Sequence, residues 1–256
     1  MTDHLRCEGI TVKFGGVVAC DNISLNVETG KIVGLIGPNG AGKTTLFNVL
    51  TRFQPYVAGS VFHNGNNVDE LRPHDMVHRG LARTFQNINL FREQTTLRNI
   101  MTGGHSLIGN PIKAMCWTPD ARKREREIEE RAIEIAEILN LSGELENEVG
   151  NLPYGYQKRV ELGRALASKP SLLLLDEPVA GCNDDETAEL QEIIHTVNKK
   201  MGVSVLLVEH DMKMVMKVCD YLFVINFGSN LAEGTPEDIR QNPEVIKAYL
   251  GEEEHT

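Results

Sequence analysis

Lys31-Ile32-Val33-Gly34-Leu35-Ile36-Gly37-Pro38-Asn39-Gly40-Ala41-Gly42-Lys43-Thr44 is an apolar run that breaks into glycines and ends on a cation and a hydroxyl. Lys31 to Ile36 reads as a buried strand, and Lys43 to about Thr51 as a helix. Between them, every fixed position of G-x-x-x-x-G-K-[ST] is filled, in the strand–loop–helix context that separates a phosphate loop from chance. Glycines let the backbone curl until successive N–H groups face phosphate oxygens, and the helix behind adds its positive end. Lys43 supplies a point charge for β- and γ-phosphates, and the Thr44 hydroxyl is a candidate Mg²⁺ ligand. The candidate nucleotide contacts are Gly37, Pro38, Asn39, Gly40, Ala41, Gly42, Lys43, Thr44 and Thr45.

A second apolar run, Leu172-Leu173-Leu174-Leu175, ends in Asp176-Glu177. Strand ends of this kind lie at the rim where open α/β sheets bind ligands. Two acids after a strand more often cap the next helix; beside a phosphate loop they read as a metal ligand, Asp176, and a water-polarising carboxylate, Glu177. A third strand, Val203 to Val208, runs into Glu209-His210-Asp211. His210 at the same rim can hydrogen-bond a γ-phosphate and so distinguish ATP from ADP. His74 and His78 stand four apart, but no third ligand follows at useful spacing, so a histidine metal site is set aside.

Around these runs the chain reads as α/β. Leu5 to Phe14, Val17 to Val27 and Ser60 to Phe62 read as strands joined by Gly15-Gly16 and Asn64-Gly65 turns, a small antiparallel sheet beside the main one. Residues 87–145 read mainly as helix, with Ile128, Ala132, Ile135 and Leu139 on one face and a solvated charged face opposite. Further helices are expected at Tyr156 to Ser168, Asp185 to Lys200 and Met212 to Val218, with a strand at Tyr221 to Asn226 and two short helices split at Asn242-Pro243.

With 41% apolar and 24% charged residues the 256-residue chain suits one large globular domain. Net charge is −10, which disfavours a nucleic-acid partner despite the basic cluster Arg122 to Arg126. The densest apolar run falls far short of the roughly 20 residues that a spanning helix needs. Cys7, Cys20, Cys116, Cys182 and Cys219 are scattered without a C-x-x-C pair, as free thiols in a reducing compartment are. A cytoplasmic protein is expected.

Together these residues resemble the nucleotide-binding subunits of ABC transporters across essentially the whole chain. The resemblance implies a single cassette: a nucleotide-binding core at 1–86 and 170–256 with an antiparallel β subdomain, and a helical subdomain at 87–169. It implies that Phe14 stacks on adenine, and that Gln86 touches Mg²⁺ and couples to a transmembrane permease subunit. Leu152-Pro153-Tyr154-Gly155-Tyr156-Gln157 resembles the family's L-S-G-G-Q signature, altered at three positions. Tyr154 and Gly155 then face ATP held by a second ATPase subunit. Pro153 has neither hydroxyl nor N–H, so one phosphate contact of the pattern is missing, while the Gly155 N–H near a helix start remains an anion donor.

Several departures resemble one branch, the ATP-binding subunits of branched-chain (hydrophobic) amino-acid importers. They are the signature tyrosine, the Gly181-Cys182-Asn183 loop, Arg83-Thr84-Phe85-Gln86, the long helical stretch expected from 101 to 145, and the tail from Glu233 to Gly251. The resemblance implies Mg-ATP hydrolysis by a head-to-tail dimer, homo- or heteromeric, on the cytoplasmic face of the membrane. An extracytoplasmic binding protein takes part indirectly. The alternatives are a urea or amide importer, a lipid exporter, or a soluble ATPase of translation or repair. The last usually carries two nucleotide sites or a coiled-coil insertion, and this chain shows neither.

Overall fold

The computed structural model describes residues 3–85, 88–105 and 119–253. Strand β3 (Ile32–Ile36) is buried along its whole length, as are β7 (Leu172–Asp176) and β8 (Ser204–Val208). Each alternates between two cores. Ile32, Ile36, Leu173, Leu175, Val205 and Leu207 face one cluster; Val33, Leu35, Leu172, Leu174, Leu206 and Val208 face the other. A strand covered on both faces has no polar side to show, so its sequence is a continuous apolar run.

These strands sit in a six-stranded sheet of order β10-β9-β3-β8-β7-β6, completed by β6 (Leu81–Arg83), β9 (Tyr221–Asn226) and β10 (Ser229–Gly234). All pairings are parallel except β9–β10, a hairpin turned at Phe227-Gly228 with positive φ at both residues. The second sheet, order β2-β1-β4-β5, is the expected antiparallel one: β1 (Asp3–Phe14), β2 (Val17–Glu28), β4 (Ala58–His63) and β5 (Asn66–Asn67). Helix α1 (Lys43–Leu50) lies between the two sheets, burying Leu46, Phe47, Val49 and Leu50 in their shared core. A short α2 (Pro73–His78) precedes β6.

The opposite face is covered by α3 (Thr96–Gly104), α4 (Pro119–Ile138), α5 (Tyr154–Ala167), α6 (Asp184–Met201) and α7 (Met212–Val218), with α8 (Pro236–Gln241) and α9 (Pro243–Glu253) at the tail. Ala132, Ile135 and Leu139 are buried as their spacing predicts. One expectation needs correction. Helix α5 begins at Tyr154, two residues before the expected Tyr156, because Pro153 occupies the cap position and its fixed φ suits a helix start. The described part of 87–145 is mainly helix, as expected, except at 88–95, which is irregular and pinned by Asn99, whose amide bonds the backbone of Phe91, Gln94 and Thr95. Residues 106–118, with Cys116, lie outside the described residues; Cys7, Cys20, Cys182 and Cys219 are free thiols. No helix among the described residues is long and apolar enough to cross a membrane.

Candidate functional site

Parallel strands deliver their C-terminal ends to one edge, and there the chain leaves β3 at Gly37, β7 at Glu177 and β8 at Glu209. Gly42 closes the loop after β3 with φ of 103°, and a Cβ there would stand 2.6 Å from the Ala19 carbonyl oxygen. Only glycine meets both conditions. The Gly228 N–H holds the Ala41 carbonyl at 3.0 Å from the β9–β10 turn. Lys43, buried at 7% exposure, donates from Nζ to the carbonyls of Gly37 (2.6 Å) and Pro38 (2.9 Å), so the loop wraps its own cation. Asn39, Gly40 and Thr44 face solvent, and Thr45 is half-buried. Phe14 ends β1 with 49% of its surface exposed.

Asp176 is buried and its Oδ2 accepts 2.8 Å from Arg83 Nη2. Glu177 turns away with a positive φ of 47°, its N–H donating to the Val208 carbonyl at 2.9 Å. A bulky residue in that region costs of order 1–3 kcal/mol, and such outliers gather at functional sites. His210 is exposed; its Nδ1 stands 3.9 Å from Glu177 Oε1 and 3.7 Å from Glu209 Oε2.

Glu209 was missed by sequence reasoning as a working residue. It is wholly buried, its Oε1 accepting from the Val179 N–H (3.1 Å) and its Oε2 from the N–H groups of His210 (3.0 Å) and Asp211 (3.4 Å). One carboxylate thereby fixes both the loop after Glu177 and the backbone that carries His210. Burial pushes its carboxyl above the usual range, and the three N–H donors pull it back. Little in the sequence marks it: Glu209 follows Val205 and Leu207 at a spacing of two, but its partner at Val179 is set by the fold.

Helix α5 carries the altered signature. Gly155 is buried against α6, and a Cβ on it would stand 2.6 Å from Glu186 Oε1. Glu186 cannot swing freely, because it forms a capping box with Asn183 at the start of α6. Tyr154 leans on the Gly181 backbone, and Lys158 Nζ lies 5.7 Å from its ring centroid. Tyr156 covers the guanidinium of Arg159 at 4.7 Å, and that buried arginine pairs with Glu189 of α6. The two tyrosines thus pack the signature segment onto the loop after Glu177 and onto α6. Gln86 lies outside the described residues, but the N–H of the preceding Phe85 donates 3.3 Å to Glu161 of α5.

Comparison with known proteins matches residues 20–180 to the ABC transporter family. The chain belongs to that family. Residues 229–255 further match the branched-chain amino acid ATP-binding cassette transporter description, covering the tail that the sequence had singled out. The chain is 44% identical over 249 residues to the high-affinity branched-chain amino acid transport ATP-binding protein BraF of Pseudomonas aeruginosa, covering 97% of this chain and 98% of that one. It is 41% identical over the same shares to LivG of Escherichia coli, and 36% identical over 255 residues to a probable LivG of Archaeoglobus fulgidus (96% of this chain, 95% of that one). Among solved structures, the ADP conformation of MJ1267, an ATP-binding cassette of an ABC transporter, matches with a TM-score of 0.86 at 32% identity, over 98% of this chain and 100% of that one. This is an ABC ATPase of the branched-chain amino-acid branch.

Proposed function

We propose that this cassette powers uptake of leucine, isoleucine, valine or similar apolar amino acids, bound to transmembrane permease subunits on the cytoplasmic face of the membrane. Supporting this reading is the convergence of the glycine loop, Asp176, Glu177 and His210 on one sheet edge, within a chain whose relatives over its full length are branched-chain amino-acid transport ATPases. The core at 1–86 and 170–256 holds the nucleotide, and the helical part at 87–169 presents the signature to a second ATPase subunit.

Lys43 exchanges its two loop carbonyls for the β- and γ-phosphates, and Phe14 lies against adenine. Thr44, Asp176 and Gln86 are the proposed Mg²⁺ ligands. Among the described residues no group of three or more His, Cys, Asp or Glu could enclose a metal. A hydroxyl and one carboxylate fit Mg²⁺, which keeps several waters and borrows substrate phosphates as ligands. When bound, the ion neutralises charge on the transferred phosphoryl group. Glu177 polarises the attacking water, and His210, held by Glu209, contacts the γ-phosphate. The Gly155 N–H and the start of α5 meet the γ-phosphate of the partner's nucleotide. Loss of that phosphate removes the contacts of Gly155 and His210 and opens the dimer. The opening passes to the permeases beside Gln86, and an extracytoplasmic binding protein sets cargo selectivity indirectly.

Calorimetric titration with Mg-ATP tests the nucleotide site. Lys43→Ala should weaken binding about 10- to 100-fold, the loss of a charge-assisted contact of roughly 1.5–3 kcal/mol. Unchanged affinity would remove Lys43 from the site.

A further inference from the structure

Arg83 touches the two elements that carry Thr44 and Asp176, two of the three proposed metal ligands. Its Nη2 donates to Asp176 Oδ2 at 2.8 Å, on the end of β7. Its Nη1 donates to Asn48 Oδ1 at 2.7 Å, on α1, and to Thr51 Oγ1 at 3.0 Å, on the residue that caps that helix. Positions 44, 48 and 51 fall on one helical face, so the arginine grips α1 on the side that bears Thr44. The guanidinium is itself buried and packed against aromatic rings, 4.8 Å from the Phe47 centroid and 5.1 Å from that of Phe85. A planar fork with several donors in fixed directions can hold these partners together; a lysine ammonium cannot reproduce that geometry.

We infer that Arg83 is a positioning residue for the metal: it braces α1 against β7 and so sets the placement of Thr44 relative to Asp176. The inference rests on the reading of Thr44 and Asp176 as Mg²⁺ ligands. Mg²⁺ demands near-ideal octahedral geometry, whereas Ca²⁺ tolerates a loose one, so a slackened brace affects Mg²⁺ more than Ca²⁺. Groups that hydrogen-bond a metal's carboxylate ligand typically contribute 10- to 100-fold to metal affinity.

The test is metal binding by the full chain with ADP, read by electron paramagnetic resonance of Mn²⁺ and by competition with Mg²⁺ and Ca²⁺. Arg83→Lys should lower Mn²⁺ affinity about tenfold and narrow the preference for Mg²⁺ over Ca²⁺. Asn48→Ala, which trims the α1 arm without leaving a buried charge unpaired, should do the same to a smaller degree, about threefold. ADP affinity in chelator should match the parent in both variants. Mn²⁺ affinity unchanged in both folded variants overturns the brace. A metal-free ADP affinity that falls in proportion also overturns it, since Arg83 would then be supporting the nucleotide loop alone. Failure of the parent chain to take up Mn²⁺ with ADP would instead defeat the underlying site.

Discussion

Glu177 and Glu209 are both carboxylates at the same sheet edge, and their surroundings divide their work. Glu177 sits in a strained backbone conformation with its side chain partly open to solvent, which suits the proposed role of polarising water. Glu177→Gln should cut hydrolysis roughly 10²- to 10⁴-fold while ATP still binds, measured by phosphate release beside nucleotide titration. Parent-rate hydrolysis would move the base role to Asp176 or His210. Glu209 is enclosed and spends its oxygens on three backbone N–H groups. Glu209→Gln loses one acceptor oxygen, so one of those donors is left unmet at a cost of about 1–3 kcal/mol. Turnover should fall with nucleotide affinity retained, and unaltered turnover would reduce Glu209 to packing. The phosphate loop was legible because its chemistry needs fixed residue types at fixed spacing. Arg83 and Glu209 were not, because what they do depends on partners distant in sequence, Asn48 and Asp176 for one and Val179 for the other.

Among elements, the α5–α6 contact changes what a substitution at Gly155 reports. From sequence alone, Gly155→Asp reads as a test of phosphate binding across the dimer. The structure sets Glu186 of the same chain against that Cα, so an aspartate would first repel its own neighbour. Gly155→Ala already forces Glu186 to shift, and unfolding by denaturant should show a loss of about 1–3 kcal/mol, the usual penalty of overpacking. Pro153→Ser is the cleaner probe of the signature, because Pro153 is exposed and caps α5 without a side-chain bond. ATP-driven dimerisation should be retained or tightened, and a folded but inert variant would give the proline a role of its own.

The two sheets are tied by His4 of β1, whose ring bonds Ser204 Oγ at 2.8 Å and Ser171 Oγ at 2.9 Å and stacks 5.5 Å from His63. Burial, and secondarily His63, lowers its pKa from 6.5 to about 4. Between those values the unfolded chain binds the proton and the folded chain does not, so stability falls as pH drops through that window. Melting temperature followed from pH 7 to pH 4 should decline less steeply in His4→Gln; an identical slope would exclude His4 as the source. Strands β3, β7 and β8 were legible as apolar runs. Edge strands β6 and β10 were not, since one is three residues long and the other has no buried apolar face to display.

At the scale of the whole molecule, the phosphate loop and Gly155 belong to opposite sides of a nucleotide only if two cassettes meet head to tail. Glu177→Gln with ATP should therefore migrate as a dimer on size exclusion and revert to monomer with ADP; a monomer under both conditions would contradict trans closure. The cargo assignment comes from relatedness, in the 229–255 tail and over 97% of the chain. The measurement that bears most directly on the account is ATP turnover of the reconstituted complex, with binding protein supplied empty, leucine-loaded or urea-loaded. Leucine-loaded binding protein should stimulate turnover only when the permease subunits are present. Stimulation by urea, and by no apolar amino acid, would contradict it.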